Sequence, residues 1–331
     1  MGELIGFSQP NDLAAHLLRA KLARRFGVFG HTPIWGGVRL HEFYPPLSTV
    51  IIQKLGITGA VLFYFLLTSI VWSIGKGPIT ATLFLVSYFH LIPMLYMGRY
   101  TEFLGYTLVA SAVFAKDGLI SGILLGLAGL SHPVALLFGL AALALRLDVI
   151  LFLVAFIICG WWYVPFVLKR RKLSFLKEKR PDKVFGVYLI SYDSMVNMAF
   201  FLFSPSWMNI FGVLLWLSPV SLKEHFKPIL GIRYIYRRLR TYAIPLRKPF
   251  FISDLVRELP NLKNINDSPI AIIQQRELLS IGNWVWACAC YLLDKNIIVY
   301  NGLPATEIPI NSLHIPPNVR EISLEELKKG R

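Results

Sequence analysis

Residues 119–145 read LISGILLGLAGLSHPVALLFGLAALAL, and the fold turns on how this stretch is parsed. It contains no Asp, Glu, Lys or Arg, and it exceeds the roughly 20 apolar residues that cross ~30 Å of hydrocarbon. Near its middle stand Ser131-His132-Pro133, where the proline has no backbone N–H to give and clashes with the preceding turn. Two short helices folded as a hairpin are expected, rather than one long tilted span. Two readings of His132 stand side by side. Ionisable groups at membrane depth are costly and usually functional. A histidine beside a proline also serves to pair backbone groups that the proline leaves open.

The same texture continues on both sides. Residues 55–72 and 79–97 are apolar and closed by Gly75-Lys76-Gly77-Pro78 and Gly98-Arg99; 103–115 is shorter and ends at Lys116-Asp117-Gly118. Residues 149–168 form another candidate span, and 195–217 a last one, interrupted at Ser204-Pro205-Ser206. About five to seven membrane segments are expected from these lengths. Composition agrees. Of 331 residues, 55% are apolar and 16% charged, against ~45–50% and ~25% in ordinary globular domains. Mean hydropathy is +0.56 and the net charge +15. A disordered tail, a disulfide scaffold and an ordinary cytosolic enzyme are excluded, because a water-soluble core could not hide this much apolar surface. Three cysteines, Cys159, Cys288 and Cys290, lack the paired clusters of a zinc site. Residues 1–10 hold no long apolar stretch, so no secretory signal is read there.

Positive charge gathers at residues 169–180 and 223–248, next to apolar segments. That position suits anionic lipid headgroups, and without a recognition module nucleic acid is not expected as a partner. From about Phe251 the chain turns polar. Residues 269–274 and 297–300 read as strands, 277–293 as a helix and Asn301-Gly302 as a turn. Trp284, Trp286 and Tyr291 belong to a core more readily than to a sugar-stacking surface. The expected fold class is mainly α: a polytopic transmembrane helix bundle (49–250), preceded by an amphipathic segment (1–48) and followed by a small water-facing α/β module (251–331).

Residues 11–47 are amphipathic rather than spanning. Leu13, Leu17 and Ala20 share one helical face, while Asp12, His16 and Arg19 share a polar one. Read plainly, this is a helix lying in the membrane interface with solvated charges, followed by a Pro-Pro turn and an aromatic belt.

The same residues carry a resemblance. Asp12, His16 and Arg19, then Pro33-Ile34-Trp35, then Tyr44-Pro45-Pro46-Leu47 ahead of a span, resemble the first external loop of GT-C-type glycosyltransferases. These multi-pass enzymes move a sugar from a polyprenyl-phosphate carrier. The layout is most similar to the prokaryotic integral membrane proteins named after a 6-pyruvoyl-tetrahydropterin synthase-related domain. Residues 98–105 resemble the second external loop, 126–133 the membrane hairpin and 160–166 a later span end, so the resemblance covers about residues 10–245. Family members carry a span ahead of the first loop; this chain begins almost inside it, which implies a truncated or reduced relative.

What the resemblance implies is specific. Asp12 is the catalytic base or a ligand of a divalent Mg or Mn ion, and Glu102 is the second carboxylate in either role. His16, Arg19, His41, Glu42, Tyr44, Arg99 and His132 are the candidates for substrate and phosphate binding. The acceptor hydroxyl must lose a proton as the anomeric carbon is attacked, and the leaving phosphate needs positive charge nearby. Transfer would occur at the external face of the cell membrane, with membrane lipid and the lipid-linked donor as partners. Two spans separate residues 12–46 from 98–102, so both face one side, and the hairpin returns His132 to that side too. The basic loop 169–180 then falls on the same side, facing carrier phosphate or headgroups. The alternative is a non-catalytic or degenerate membrane protein of the same architecture. A transporter is disfavoured, since no inverted repeat of broken helices is visible.

Overall fold

The computed structural model describes residues 12–30, 41, 44–87, 90–91, 93–94, 98–169 and 194–210, and strands at 270–273, 297–300 and 320–323; for 12–15, 18, 166–169 and the strands it describes the backbone alone. The described residues are mainly helical. In chain order the helices are α1 (Asp12–Phe26), α2 (Leu47–Lys76), α3 (Pro78–Val86), α4 (Tyr100–Phe114), α5 (Gly118–Ser131), α6 (Pro133–Leu143), α7 (Val149–Lys169) and α8 (Ser194–Phe203). Strands β1 (Ile270–Ile273), β2 (Ile297–Tyr300) and β3 (Arg320–Ser323) form a parallel sheet of order β2-β1-β3, with Ile270 opposite both Ile297 and Arg320.

Contacts divide the chain into two units. The first comprises Met1–Ile57, Trp162–Lys179 and Phe250–Arg331; the second comprises Thr58–Trp161 and Arg180–Pro249. The chain crosses between them inside α2 and inside α7. In α2 the crossing follows Gly56, whose φ of 68° and ψ of 173° interrupt the helix in a conformation open to glycine.

The second unit is built around α4. From Tyr100 to Ala110 every residue of α4 is buried, and α5 and α6 pack on it and on each other. Small residues set the spacing. A Cβ added at Gly105 would lie 2.5 Å from the Ala135 methyl, and one at Gly122 or Gly126 of α5 would come within 2.6 Å of α7. Such close approach lets the helix backbones pack against one another.

The break that decides the fold is capped from both sides. Ser131 donates its hydroxyl to the Thr101 carbonyl (2.7 Å), tying the α5–α6 corner to the first turn of α4. His132 Nδ1 accepts the Val134 N–H (3.3 Å) as N-cap of α6, with Pro133 at the first helical position. At the opposite end of the unit, Asp117 caps α5 by accepting the Ile120 N–H (2.8 Å). There Arg146 donates to the last carbonyls of α4, Ala115 among them at 2.8 Å, and to that of Val113. A cation is favourable where the helix dipole is negative.

The apolar stretches differ in length from expectation. Only α2, with 30 residues, is long and apolar enough among the described residues to cross a membrane by that measure; α5, α6, α7 up to Pro165 and α8 are shorter apolar helices. Residues 79–97 do not form one helix: α3 stops at Val86, and Ser87 is extended (φ −62°, ψ 141°) with its hydroxyl on the Phe84 carbonyl at 2.8 Å. A serine that bonds the backbone locally offers it an alternative to the helix. Likewise α8 ends before Ser204-Pro205, followed by a short 3-10 turn, Ser206–Met208. The expected helix 277–293, its aromatic residues and the basic stretches 170–180 and 223–248 lie outside the described residues.

In the second unit large apolar side chains are exposed, while several polar ones join its largely apolar core. Leu62, Leu66, Ile70 and Ile74 of α2 are exposed at four-residue intervals, and Leu153, Phe156 and Ile157 of α7 are exposed as well. Buried instead are Thr68, Ser87, His90, Arg99, Glu102, Thr107 and Asn197. These polar groups pair with one another: Thr68 with Thr107 at 2.8 Å, and Asn197 with Ser87 at 3.1 Å.

Candidate functional site

The sequence-expected residues fall into two clusters, one in each unit. In the second unit Arg99, Glu102 and Tyr106 follow one another at three- and four-residue spacing, so they share a face of α4. Arg99 Nη1 donates to Glu102 Oε2 at 2.9 Å, and the Tyr106 hydroxyl donates to Oε1 at 2.8 Å. Both charged side chains are almost wholly enclosed, at 5% and 3% exposure. Glu102 also stands in the first turn of α4, where a carboxylate meets the positive end of the helix dipole. The Ser131–Thr101 bond brings the α5–α6 corner, with half-buried His132, to this same turn.

A second buried pair lies close by. Tyr64 of α2 hydrogen-bonds His90 Nε2. His90 Nδ1 lies 2.9 Å from the Leu85 carbonyl, which can only accept, so Nδ1 carries the proton and Nε2 accepts the hydrogen bond that the Tyr64 hydroxyl donates. Tyr100 and Phe103 of α4 pack edge-on against this pair, Tyr100 on Tyr64 and Phe103 on His90.

In the first unit α1 carries His16 and Arg19. The expected solvated polar face is corrected here: both residues are buried, at 4% exposure each. Arg19 lies 3.9 Å over the centre of the Tyr44 ring, and His16 meets the same ring edge-on at 5.9 Å. A guanidinium is weakly hydrated for its charge and stacks on aromatic faces, which makes its burial tolerable. His16 Nδ1 accepts an Arg19 N–H, because the guanidinium has no acceptor. Gln53 donates to the Ala23 carbonyl (2.9 Å) and its own carbonyl accepts from Arg24 (3.1 Å), which pins α1 to the start of α2. His41 packs its ring 4.9 Å from Phe29 and accepts the Trp162 indole N–H at its carbonyl. Asp12 opens α1, in the first unit, and its side chain is outside the described residues; so is Glu42.

Chemically, the Arg99 cluster is a charge pair with a fixed third partner. Both oxygens of Glu102 are engaged, one by a cation, so Glu102 does not fit a metal ligand in this arrangement. Among the described residues no three His, Cys, Asp or Glu side chains gather as metal ligands. Tyr106 was not singled out by sequence, although its four-residue offset from Glu102 was a readable signal. Tyr64 and His90 come from separate segments, and no local spacing joins them. No protein-family model matches the chain, no curated protein is similar to it, and no solved structure matches its fold.

Proposed function

We propose that the second unit is a multi-pass membrane assembly, and that the protein is a membrane-embedded transferase that takes a sugar from a polyprenyl-phosphate-linked donor. The membrane part is carried by one observation: apolar stripes on α2 and α7 are exposed while ion-paired and hydrogen-bonded polar groups are buried. In lipid the exposed apolar stripes cost nothing, while inside the unit Thr68 pairs with Thr107, Arg99 with Glu102 and Asn197 with Ser87.

The transferase part rests on the motif resemblance together with the meeting of Arg99, Glu102 and the His132 corner at one end of α4. Arg99 is the residue suited to a phosphate, since its planar fork matches phosphate oxygens bidentately. A phosphate that draws on Arg99 weakens its hold on Glu102, which can then take the acceptor proton. The motif resemblance also names Asp12 as a base. Since Glu102 does not fit a metal as it stands, no step is routed through one. A second reading, a non-catalytic membrane protein, is favoured by the engagement of both Glu102 oxygens, which suits a structural role.

The test is transfer by the full chain reconstituted in vesicles with a polyprenyl-phosphate hexose, read by mass spectrometry of lipid and product. The transferase reading expects turnover that Glu102→Gln or Asp12→Ala abolishes while the protein stays folded. Turnover unchanged by both substitutions contradicts the assigned roles, and an inert wild-type protein favours the second reading.

A further inference from the structure

We infer that the corner of the first unit where α1 ends against the start of α2 is a docking site for an anionic phospholipid headgroup, held by Arg24, Arg25 and Lys54. The inference goes beyond the transferase reading and rests only on the membrane part of the proposal above.

The corner is built from two helix ends. The chain leaves α1 at Gly27, whose φ of 81° turns it and whose N–H returns to the Ala23 carbonyl at 2.9 Å. The first stretch of α2 is interrupted at Gly56. Two side chains tie these ends together. Gln53 donates its amide to the Ala23 carbonyl at 2.9 Å, and Arg24 Nε donates to the Gln53 carbonyl at 3.1 Å. Arg24 is thereby fixed beside the residue that precedes Lys54. Arg25 is its neighbour on α1 and lies 5.2 Å from the centre of the Phe26 ring. All three cations are exposed, and among the described residues none of them is in an ion pair.

Local charge does not balance them. A helix C-terminus favours cations, but each such end offers only about half a negative charge. Between Leu13 and Ile57 the sequence holds a single acidic residue, Glu42, against six Lys and Arg. The excess suits a phosphate, whose oxygens the planar fork of an arginine matches. The apolar side chains beside the cations select what carries that phosphate. Leu55 follows Lys54 directly and is 51% exposed, and Phe29, just past α1, is 62% exposed. A nucleic-acid backbone gives these two no apolar partner. A phospholipid places acyl chains next to its phosphate, so that cationic side chains lay their stems along lipid and keep their heads at the phosphate. In the chain this corner shortly precedes the exposed stripe of α2 from Leu62 onward, which the membrane reading sets against acyl chains.

The test uses the full chain in phosphatidylcholine vesicles, in a background of Cys159→Ala, Cys288→Ser and Cys290→Ser. A single fluorescent label is attached at Leu55→Cys or, for comparison, at Ile157→Cys of α7. Phosphatidylglycerol and phosphatidylcholine with dibrominated acyl chains quench such a label according to their occupancy beside it. At low salt the Leu55 label should favour the anionic lipid about tenfold, and the Ile157 label should favour neither. Arg25→Gln with Lys54→Gln breaks no hydrogen bond among the described residues, and it should reduce the preference at Leu55 to about twofold. Lys54→Arg should keep it. Equal quenching at Leu55 by both lipids, or a preference that the double replacement leaves unchanged, overturns the inference, and the membrane reading stands if the Ile157 label is still quenched. Quenching at neither position by either lipid means that both fail. A Leu55 label that responds to a single-stranded oligonucleotide and not to the anionic lipid assigns the corner to nucleic acid and overturns the inference.

Discussion

Removing two charges from water costs several kcal/mol per ion, and a buried pair returns it only with close geometry and further hydrogen bonds. Arg99 and Glu102 meet that condition at 2.9 Å, with Tyr106 on the remaining oxygen. Glu102→Gln or Arg99→Met breaks an enclosed ion pair by removing one partner, and each should lower stability by about 3–5 kcal/mol. The double replacement Arg99→Met with Glu102→Leu should be less damaging than either alone. Thermal melts in detergent check this, and simple additivity of the two losses would show that the pair is not coupled. Tyr106→Phe removes a hydrogen bond to a charged group, for an expected loss of about 1.5–3 kcal/mol. At this scale the sequence was only half legible. The three-residue spacing of Arg99 and Glu102 announces a pair, yet the resemblance assigns them separate tasks. The periodicity that groups His16 with Arg19 is the same whether their face meets water or Tyr44, so burial could not be read from it.

Helix breaks were legible where proline or glycine marks them and illegible where serine does. Pro133 announces the α5–α6 corner, and the two helices are there. Ser87 ends α3 through bonds to Phe84 and Asn197, and the second of these partners is remote in sequence. Strands β1 and β2 show as runs of β-branched residues. Strand β3 (Arg320-Glu321-Ile322-Ser323) does not, and it occupies an edge of the sheet, where charged side chains blunt further pairing. Because α5 and α7 touch through Gly126, Gly126→Leu should force them apart and cost about 1–3 kcal/mol or more, whereas Leu137→Ala on the exposed face of α6 should change the melting temperature little. Equal sensitivity at both positions would contradict the packing. His132→Ala removes the cap of α6 at a cost of about 1 kcal/mol. Rescue by His132→Asn would identify capping as its structural role.

For the molecule as a whole, composition pointed to lipid before any element was located. Among the described residues one helix, α2, is long and apolar enough to cross a membrane, and it stands with several shorter apolar helices. Sequence placed the breaks at Pro133 and Pro205 but not the one at Ser87, which depends on bonds to Phe84 and to the remote Asn197. The central claim is that the exposed apolar stripes face lipid. Nitroxide labels at Leu66 and Ile70 of α2 and at Ile157 of α7, in protein reconstituted into vesicles, measure this directly through relaxation by oxygen and by a water-soluble nickel chelate. The account predicts strong relaxation by oxygen and little by nickel at all three, with the reverse at Lys116. Nickel reaching Leu66, Ile70 and Ile157 as freely as Lys116 would contradict it.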